Sequence, residues 1–450
     1  MKKQLHKKVF NALIEGRKFQ EIRDVFNYYN LVDLAVMVEE LQLEQILLLF
    51  KILKREISAE MFTYLSSFKQ EELINTFTSP EIKGMLENLY SDDIIDFIEE
   101  LPSNLVKKIL QAASEDQRTE INLLLSYPED SAGSMMTTDF VELKETDTVK
   151  RAIARIKTQG RVAETITNCY VVDQNRRLVG SIRLREILFA NEDEMISELM
   201  DTDVISVMTN DDQEVVANVF KKYDFSVLPI VNDEERLIGI ITADDIIDVL
   251  YEETTEDIQK IAAIMPTEGS YIETSILDMA KSRITWLIVL MVSATFTGFI
   301  IQGYESTLVL IPALAASMPM IMSTAGNAGS QSSIMVIRGI SVDDMTIKDI
   351  GLVAWKELQI GLVIGSMMFV VNVLRLMIFT PNVGLMTDLV ISGTVFLTIL
   401  MAKVTGGLLP LVALIFKQDP AAMASPLITT IVDALALIVY FNLAMHFLAL

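Results

Sequence analysis

The sequence predicts a multidomain chain with three parts in order. These are an all-α helical-repeat N-domain, a tandem pair of α/β modules, and an α-helical transmembrane domain of five spans. Three observations carry that reading. Short amphipathic segments at helical spacing fill residues 1–130, a strand-rich pattern occurs twice within 136–252, and the last 167 residues are nearly free of charge. Residues 284–450 hold six Lys/Arg and eight Asp/Glu, whereas 1–283 hold 31 basic and 53 acidic residues. The front part therefore carries −22 of the chain's net charge of −24. Such a surface attracts cations and repels nucleic acid, which excludes a nucleic-acid partner.

In the N-domain (1–130), the segments 32–41, 79–89 and 91–102 each place apolar residues at helical spacing. Ser79-Pro80 reads as an N-cap followed by proline at the first helical position. The helices are short and alike, which predicts a small stacked array. The N-terminus MKKQLHKK is basic, but no apolar stretch follows it, so no signal peptide is expected. The one cysteine, Cys169, permits no intrachain disulfide and suits a cytosolic setting.

The repeat comes next. Residues 136–143 (MTTDFVEL) answer 200–207 (MDTDVISV), and 170–188 answer 228–247. Each copy reads as strand, helix, strand, turn, strand, helix, with boundaries at 131–200 and 201–250. The pattern resembles a tandem pair of CBS domains, a module that binds adenine nucleotides or metal ions. A charged helical connector follows at 251–283, carrying Glu252, Glu253, Glu256 and Asp257. By charge alone these acids form either a solvated face or part of a cation site, since like charges held close need neutralising.

The membrane part (284–450) divides into spans near 284–301, 308–337, 352–378, 386–416 and 421–449. Lys281, Arg283, Arg338, Lys348 and Lys417 lie at one set of ends, while loops 302–307 and 380–388 lack Lys and Arg. The positive-inside rule then places the N-terminal modules in the cytoplasm and the C-terminus outside. Asp433 is the only acid well inside span five, with Thr429 and Thr430 one turn earlier. A carboxylate at that depth must face a wet cavity, a partner or an ion. Asp419-Pro420 reads as the start of span five, and Pro426 frees the carbonyl of Ala422 to line a pore. In span two, Pro319 marks a segment that need not stay a regular helix. Gly326 and Gly329 permit close approach there, and Asn327 and Gln331 supply amide oxygens for a water-clad cation. Glu357 reads first as a partner of Lys356 or Arg338, and second as a pore-mouth acid. Glu305, in a short outer loop, is either an exposed acid or an entry site. The 24 methionines read as packing, because no Cys or His cluster offers the soft ligands that copper or zinc prefers.

With these parts in order, the chain resembles the MgtE family of magnesium channels and transporters over essentially its whole length. The match rests on YPEDSAGSMMTT (127–138), ATFTGFIIQGYE (294–305), PMIMSTAGNAGSQ (319–331), KELQIGLVIG (356–365) and DPAAMASPLITTIVD (419–433). Ala325 and Ala436 stand where the family often has glycine; both stay small. The resemblance implies a homodimer in the bacterial inner membrane, with Asp433 at each pore's ion site. It implies Mg2+ as substrate and regulator, and it admits ATP at the CBS pair. It also implies regulatory magnesium ligands at Asp92, Asp96, Glu214, Asp245, Asp248, Glu253, Glu256 and Asp257, whose occupation closes the channel. The rival readings are a transporter of Co2+ or Mn2+ and a non-transporting, membrane-anchored CBS sensor. An enzyme is not expected, since no nucleophile–base set, Walker motif or metal-hydrolase spacing is present.

Overall fold

The computed structural model describes residues 7–267, 271, 274–342, 345–380, 384–421 and 425–448. It divides into two compact units, 1–251 and 252–450.

The first unit opens with short helices, α1 (Lys7–Glu15), α2 (Phe19–Tyr28), α3 (Leu31–Glu39), α4 (Leu43–Ile52) and α5 (Arg55–Thr63). They continue as α6 (Ser67–Thr76), α7 (Ser79–Leu86), α8 (Ser91–Glu99), α9 (Ser103–Ala112) and α10 (Glu115–Leu124). Each is only eight to ten residues long, too short to hold as an isolated helix. Their apolar faces supply the missing stability by joining one core, in which Phe10, Phe62, Leu73 and Ile95 are fully buried. The cap of α7 lies one residue earlier than the sequence predicts. Thr78 caps it, because Glu81 reaches back to both the Thr78 amide (2.8 Å) and hydroxyl (2.7 Å). That reciprocal box satisfies two donors at once, which Ser79 cannot match.

Two α/β copies follow, as the repeat predicts. The first contains β1 (Glu142–Lys144), α11 (Val149–Gln159), β2 (Asn168–Val172), β3 (Leu178–Arg183), α12 (Leu184–Phe189) and the short α13 (Ile196–Leu199). The second contains β4 (Val207–Met208), α14 (Gln213–Tyr223), β5 (Val227–Val231), β6 (Leu237–Thr242) and α15 (Ala243–Ile261). In both sheets the first strand pairs parallel with the second, and the second antiparallel with the third. Both also shift register at one equivalent place, Val171/Val172 and Ile230/Val231. The copies exchange their leading segments. Thr137, ahead of copy one, pairs with Ile240 of β6, and Asp201, ahead of copy two, pairs with Ser181 of β3. Gly239 and Gly180 accommodate the exchange. A Cβ at either would press on Met136 Sδ (2.7 Å) or Met200 Sδ (2.5 Å), the methionines that open the two repeat motifs.

The second unit holds α16 (Ile276–Gly303), α17 (Glu305–Leu310), α18 (Pro312–Val342), α19 (Ile350–Phe379), α20 (Leu385–Ile415) and α21 (Ser425–Leu448). Four of its helical stretches are long and apolar enough to cross a membrane: 276–303, 347–379, 385–415 and 427–448. α18, the predicted second span, is not among them. Its start also differs from expectation: the chain breaks at Ile311, because the residue before Pro312 disfavours helical geometry. Once begun, α18 runs unbroken through Pro319, so the predicted irregular segment is a continuous helix. Asp419 accepts a hydrogen bond from the Ala421 amide (2.7 Å), and the described part of α21 opens at Ser425; the stretch 422–424 that links the predicted start at Asp419-Pro420 to it lies outside the described residues.

α20 is the central helix of this unit, with half of its apolar window buried, against 6% for α16. α18 packs along α20 and α21, and glycine sets the spacing. A Cβ at Gly406 of α20 would overlap the Gly329 carbonyl of α18, and one at Gly329 would lie 2.9 Å from Ile428 of α21. At the other end, buried Tyr440 donates to the Leu314 carbonyl (2.9 Å), and Tyr304 stacks on Phe441 at 4.4 Å. We expect Gly406→Ala to cost roughly 1–3 kcal/mol by overpacking, read as a lower melting temperature in detergent. Gly393→Ala, where an added Cβ meets nothing within 4 Å, should leave the melting temperature unchanged or slightly raised.

Candidate functional site: an acidic cluster and an intramembrane carboxylate

In the first unit, three carboxylates converge. One oxygen each from Asp92, Glu164 and Asp245 lies within 4.8 Å of the others. Asp92 sits in the first turn of α8 and Asp245 in the first turn of α15. Helix N-termini favour negative charge, which explains acids at both positions. Glu164 comes from the loop after α11, where its amide donates to the Asp139 carbonyl (2.9 Å). α8 is docked on this region through Ser91, whose hydroxyl receives the Thr138 amide (2.9 Å) and lies 3.2 Å from Thr137 Oγ1. The Thr242 hydroxyl lies within hydrogen-bond distance of both Asp245 (2.7 Å) and Asp244 (2.6 Å) and has one proton to give them. Nothing comparable serves two of the buried oxygens. Asp92, 6% exposed, leaves Oδ1 without a hydrogen-bond partner, and so does Glu164 with Oε2.

Burial holds the Asp92 carboxyl well above its usual range, and the charges of Glu164 and Asp245 add to the effect. Burial, then Asp245, pushes Glu164 up to about 7. Asp93, also facing Asp245, rises to about 6, chiefly by burial. Acids that resist ionisation this strongly lack a counter-charge. A divalent cation with a preference for oxygen ligands would supply one and would satisfy both orphaned oxygens.

Two polar centres of the second unit carry residues that the sequence singled out. Lys260, in the last turn of α15, donates to Glu256 (2.8 Å) and Asp419 (2.6 Å), joining α15 to the loop before α21. Burial alone would lower the Lys260 pKa, yet hydrogen bonds to the two carboxylates raise it. Asp257 is raised by burial and by the Asp419 charge. The other centre lies where α18 meets α21. A Cβ at Gly326 would lie 3.2 Å from Thr429 Cγ2 and 3.6 Å from Asp433 Oδ1. The half-buried Asp433 carboxylate therefore faces the glycine of the polar segment. On the open side of α18, Ser323, Asn327 and Gln331 form an exposed stripe at four-residue spacing, with Asn327 Nδ2 reaching Ser323 Oγ at 3.4 Å. A charge at the centre of a membrane helix costs about 2.5–3.5 kcal/mol on insertion scales, so it is kept for a purpose.

Comparison with known proteins joins these features. Family models match 29–130 as the MgtE intracellular N domain, 132–193 and 196–252 as CBS domains, and 318–443 as a divalent cation transporter. A magnesium transporter MgtE from Thermus thermophilus is 31% identical over 99% of this chain and 98% of its own length. The chain belongs to the MgtE family. A Bacillus subtilis magnesium transporter MgtE is likewise 31% identical, over 97% of this chain and 96% of its own. The solved soluble part of a magnesium transporter matches with a TM-score of 0.52 and 31% identity, covering 55% of this chain and 97% of that one. The cytosolic domain of the Mg2+ channel MgtE, solved with ATP, also has a TM-score of 0.52 and 31% identity, covering 54% and 100%. MgtE relatives are named as transporters, and the chain is not an enzyme.

Against this MgtE frame, the predicted residues separate by position. Asp92 and Asp245 come together with Glu164, which the sequence reading missed. Asp96, Glu214 and Asp248 are exposed on α8, α14 and α15, outside that trio. Glu253, Glu256 and Asp257 lie on the second unit's part of α15, where Lys260 already engages Glu256. Gly326 and Thr429 lie beside Asp433, with Thr430 half-buried next in the chain. Ala422 falls outside the described residues. Glu357 pairs with neither Lys356 nor Arg338 among the described residues; buried between helices, it accepts from Ser332 (2.6 Å). Glu305 is exposed at the start of α17.

The raised acids fix a pH dependence. Glu164 keeps its proton in the folded state up to about 7, against 4.5 for a free glutamate. The folded state thus binds more protons than the unfolded one in that window, and stability falls as pH rises through it. In EDTA, we expect the melting temperature to drop between pH 5 and 7.5. Saturating Mg2+ should abolish the drop, and Glu164→Gln should flatten it without metal. A slope unchanged by both would refute an unneutralised acidic cluster.

Proposed function

We propose that the chain carries Mg2+ as substrate across the bacterial inner membrane, as a channel or transporter that closes when intracellular Mg2+ rises. The observation that carries the proposal is Asp433, an intramembrane carboxylate set against Gly326 where a side chain would intrude. Magnesium needs six oxygens in near-octahedral array and gives up its waters reluctantly. A carboxylate, two threonines and the Asn327 amide, with the space a glycine leaves, suit a largely hydrated ion. In this reading α18 is the fifth crossing element, tolerated despite its polarity because its polar face lines water or a second copy of the chain. The working form is a homodimer, and the N-terminal modules face the cytoplasm with the C-terminus outside. The absence of Lys and Arg from loops 302–307 and 380–388 supports that orientation.

Regulation is assigned to the acids of the front part. Asp92, Glu164 and Asp245, with Asp93 alongside, take a regulatory Mg2+ that ties α8 to α15. Asp96, Glu214 and Asp248 supply further carboxylates in the first unit, and Glu253, Glu256 and Asp257 in the second. Ion binding favours the state in which these acids lie together, and their mutual repulsion favours separation without it. We extend the proposal to ATP at the CBS pair, on the strength of the ATP-bound cytosolic-domain neighbour.

Expression in a strain deficient in magnesium import should restore growth at low Mg2+, and Asp433→Ala should abolish the rescue. Normal rescue by that variant would remove Asp433 from the ion path. Growth rescued by Co2+ or Mn2+ uptake alone would favour a different cargo. Neutralising Asp92, Glu164 and Asp245 together should leave uptake active at high internal Mg2+; normal closure in the triple variant would sink the feedback model.

A further inference from the structure

Lys403 has no role in the transport reading, yet it is the most constrained cation of the second unit's apolar helices. It lies near the middle of α20, is 5% exposed, and its ammonium donates to Gln331 Oε1 of α18 (3.2 Å). The next residue, Ser332, donates to Glu357 of α19 (2.6 Å), itself 8% exposed. Three helices thus bring a buried ammonium and a buried carboxylate to adjacent residues of α18. Glycines make the fit: a Cβ at Gly407 would come within 2.8 Å of Glu357 Cγ, and one at Gly361 within 3.5 Å of Lys403 Cβ. No direct ion pair joins Lys403 to Glu357 among the described residues; α18 mediates between them.

Lysine is a donor only, so its partner on Gln331 must be the amide oxygen. That turns the Gln331 carbonyl inward and leaves its NH2 group toward the exposed stripe shared with Ser323 and Asn327. Gln331 is five residues beyond Gly326, about 7.5 Å further along the helix. The sequence reading assigned Gln331 an amide oxygen for the passing ion; the hydrogen bond to Lys403 reverses that polarity. An ion path must bind strongly enough for entry and weakly enough for release. A fixed positive charge and an outward NH2 group oppose cation retention at this level and leave Asp433 as the place where the ion rests.

We propose that Lys403 is a positioning residue for ion passage: it locks the Gln331 amide and, with Glu357 as counter-ion, prevents a second cation trap inward of Asp433. The proposal rests on the transport reading. Its test is Mg2+ uptake kinetics in cells or vesicles, normalised to protein in the membrane. Lys403→Met exposes a turned amide and an uncompensated Glu357, so both the apparent KM and the maximal rate should fall, on the order of ten-fold for removal of a nearby unit charge. Lys403→Arg should retain wild-type kinetics, and adding Gln331→Leu to Lys403→Met should bring KM back up. A merely structural lysine would lower the rate in proportion to protein and leave KM unchanged, which overturns the proposal. Should Lys403→Met fail to reach the membrane, Lys403→Met/Glu357→Gln leaves no lone buried charge. Compared with Glu357→Gln alone, it should still show the lower KM, and an equal KM overturns the proposal. Wild-type protein that carries no Mg2+ would instead remove the transport reading itself.

Discussion

The second unit depends on one constraint: a polar helix among apolar ones must find protein or water for every polar group. α18 carries serines, a threonine, an asparagine and a glutamine through its middle, and lipid satisfies none of them. Its inner side is therefore sealed against the α20 backbone through Gly329 and Gly406, and against the Ile428 and Val432 side chains of α21. Ser332 and Gln331 are held by Glu357 and Lys403. The remaining stripe is left open on one side, and Asp433 meets the same helix at Gly326. Glycine placement, amide orientation and the buried charges are consequences of keeping this helix within a membrane domain.

The acidic cluster obeys the same rule in a soluble setting. Asp92 and Glu164 each keep an oxygen that no group of the protein satisfies, which natural interiors avoid unless something else completes them. The like charges that raise these carboxyls are the ones a divalent ion would draw together. α15 then has a double character. Its first turn supplies Asp245 to the cluster, and its last turn supplies Lys260 to Glu256 and Asp419, so one helix carries ligand chemistry at one end and an ion-pair clasp at the other.

Much of this was legible in the sequence. The helical array, the doubled α/β module and the charge-poor C-terminal region follow from local periodicity and composition, because each element needs its own apolar face. Asp433 stood out as an acid at a depth where charge is costly, whereas Asp92 and Asp245 were marked only by the family resemblance. Other features were not legible. Glu164 comes from a loop with no period to mark it, and it reaches the cluster only because the copies exchange their leading segments and dock α8 on residues 137–139. The cap at Thr78 was obscured by the stronger-looking Ser79-Pro80, and the continuity of α18 through Pro319 by the usual effect of proline on a lone helix.

The sequence by itself determined the order and kind of the parts, since hydrophobic period, charge balance and repeat spacing act over a few residues at a time. Only the tertiary structure decided which distant groups share a site. Asp92, Glu164 and Asp245 are far apart in the chain, as are Gly326 and Asp433, or Lys403 and Gln331. Their meeting is fixed by core packing and by glycines that let backbones touch, and neither leaves a trace in local pattern.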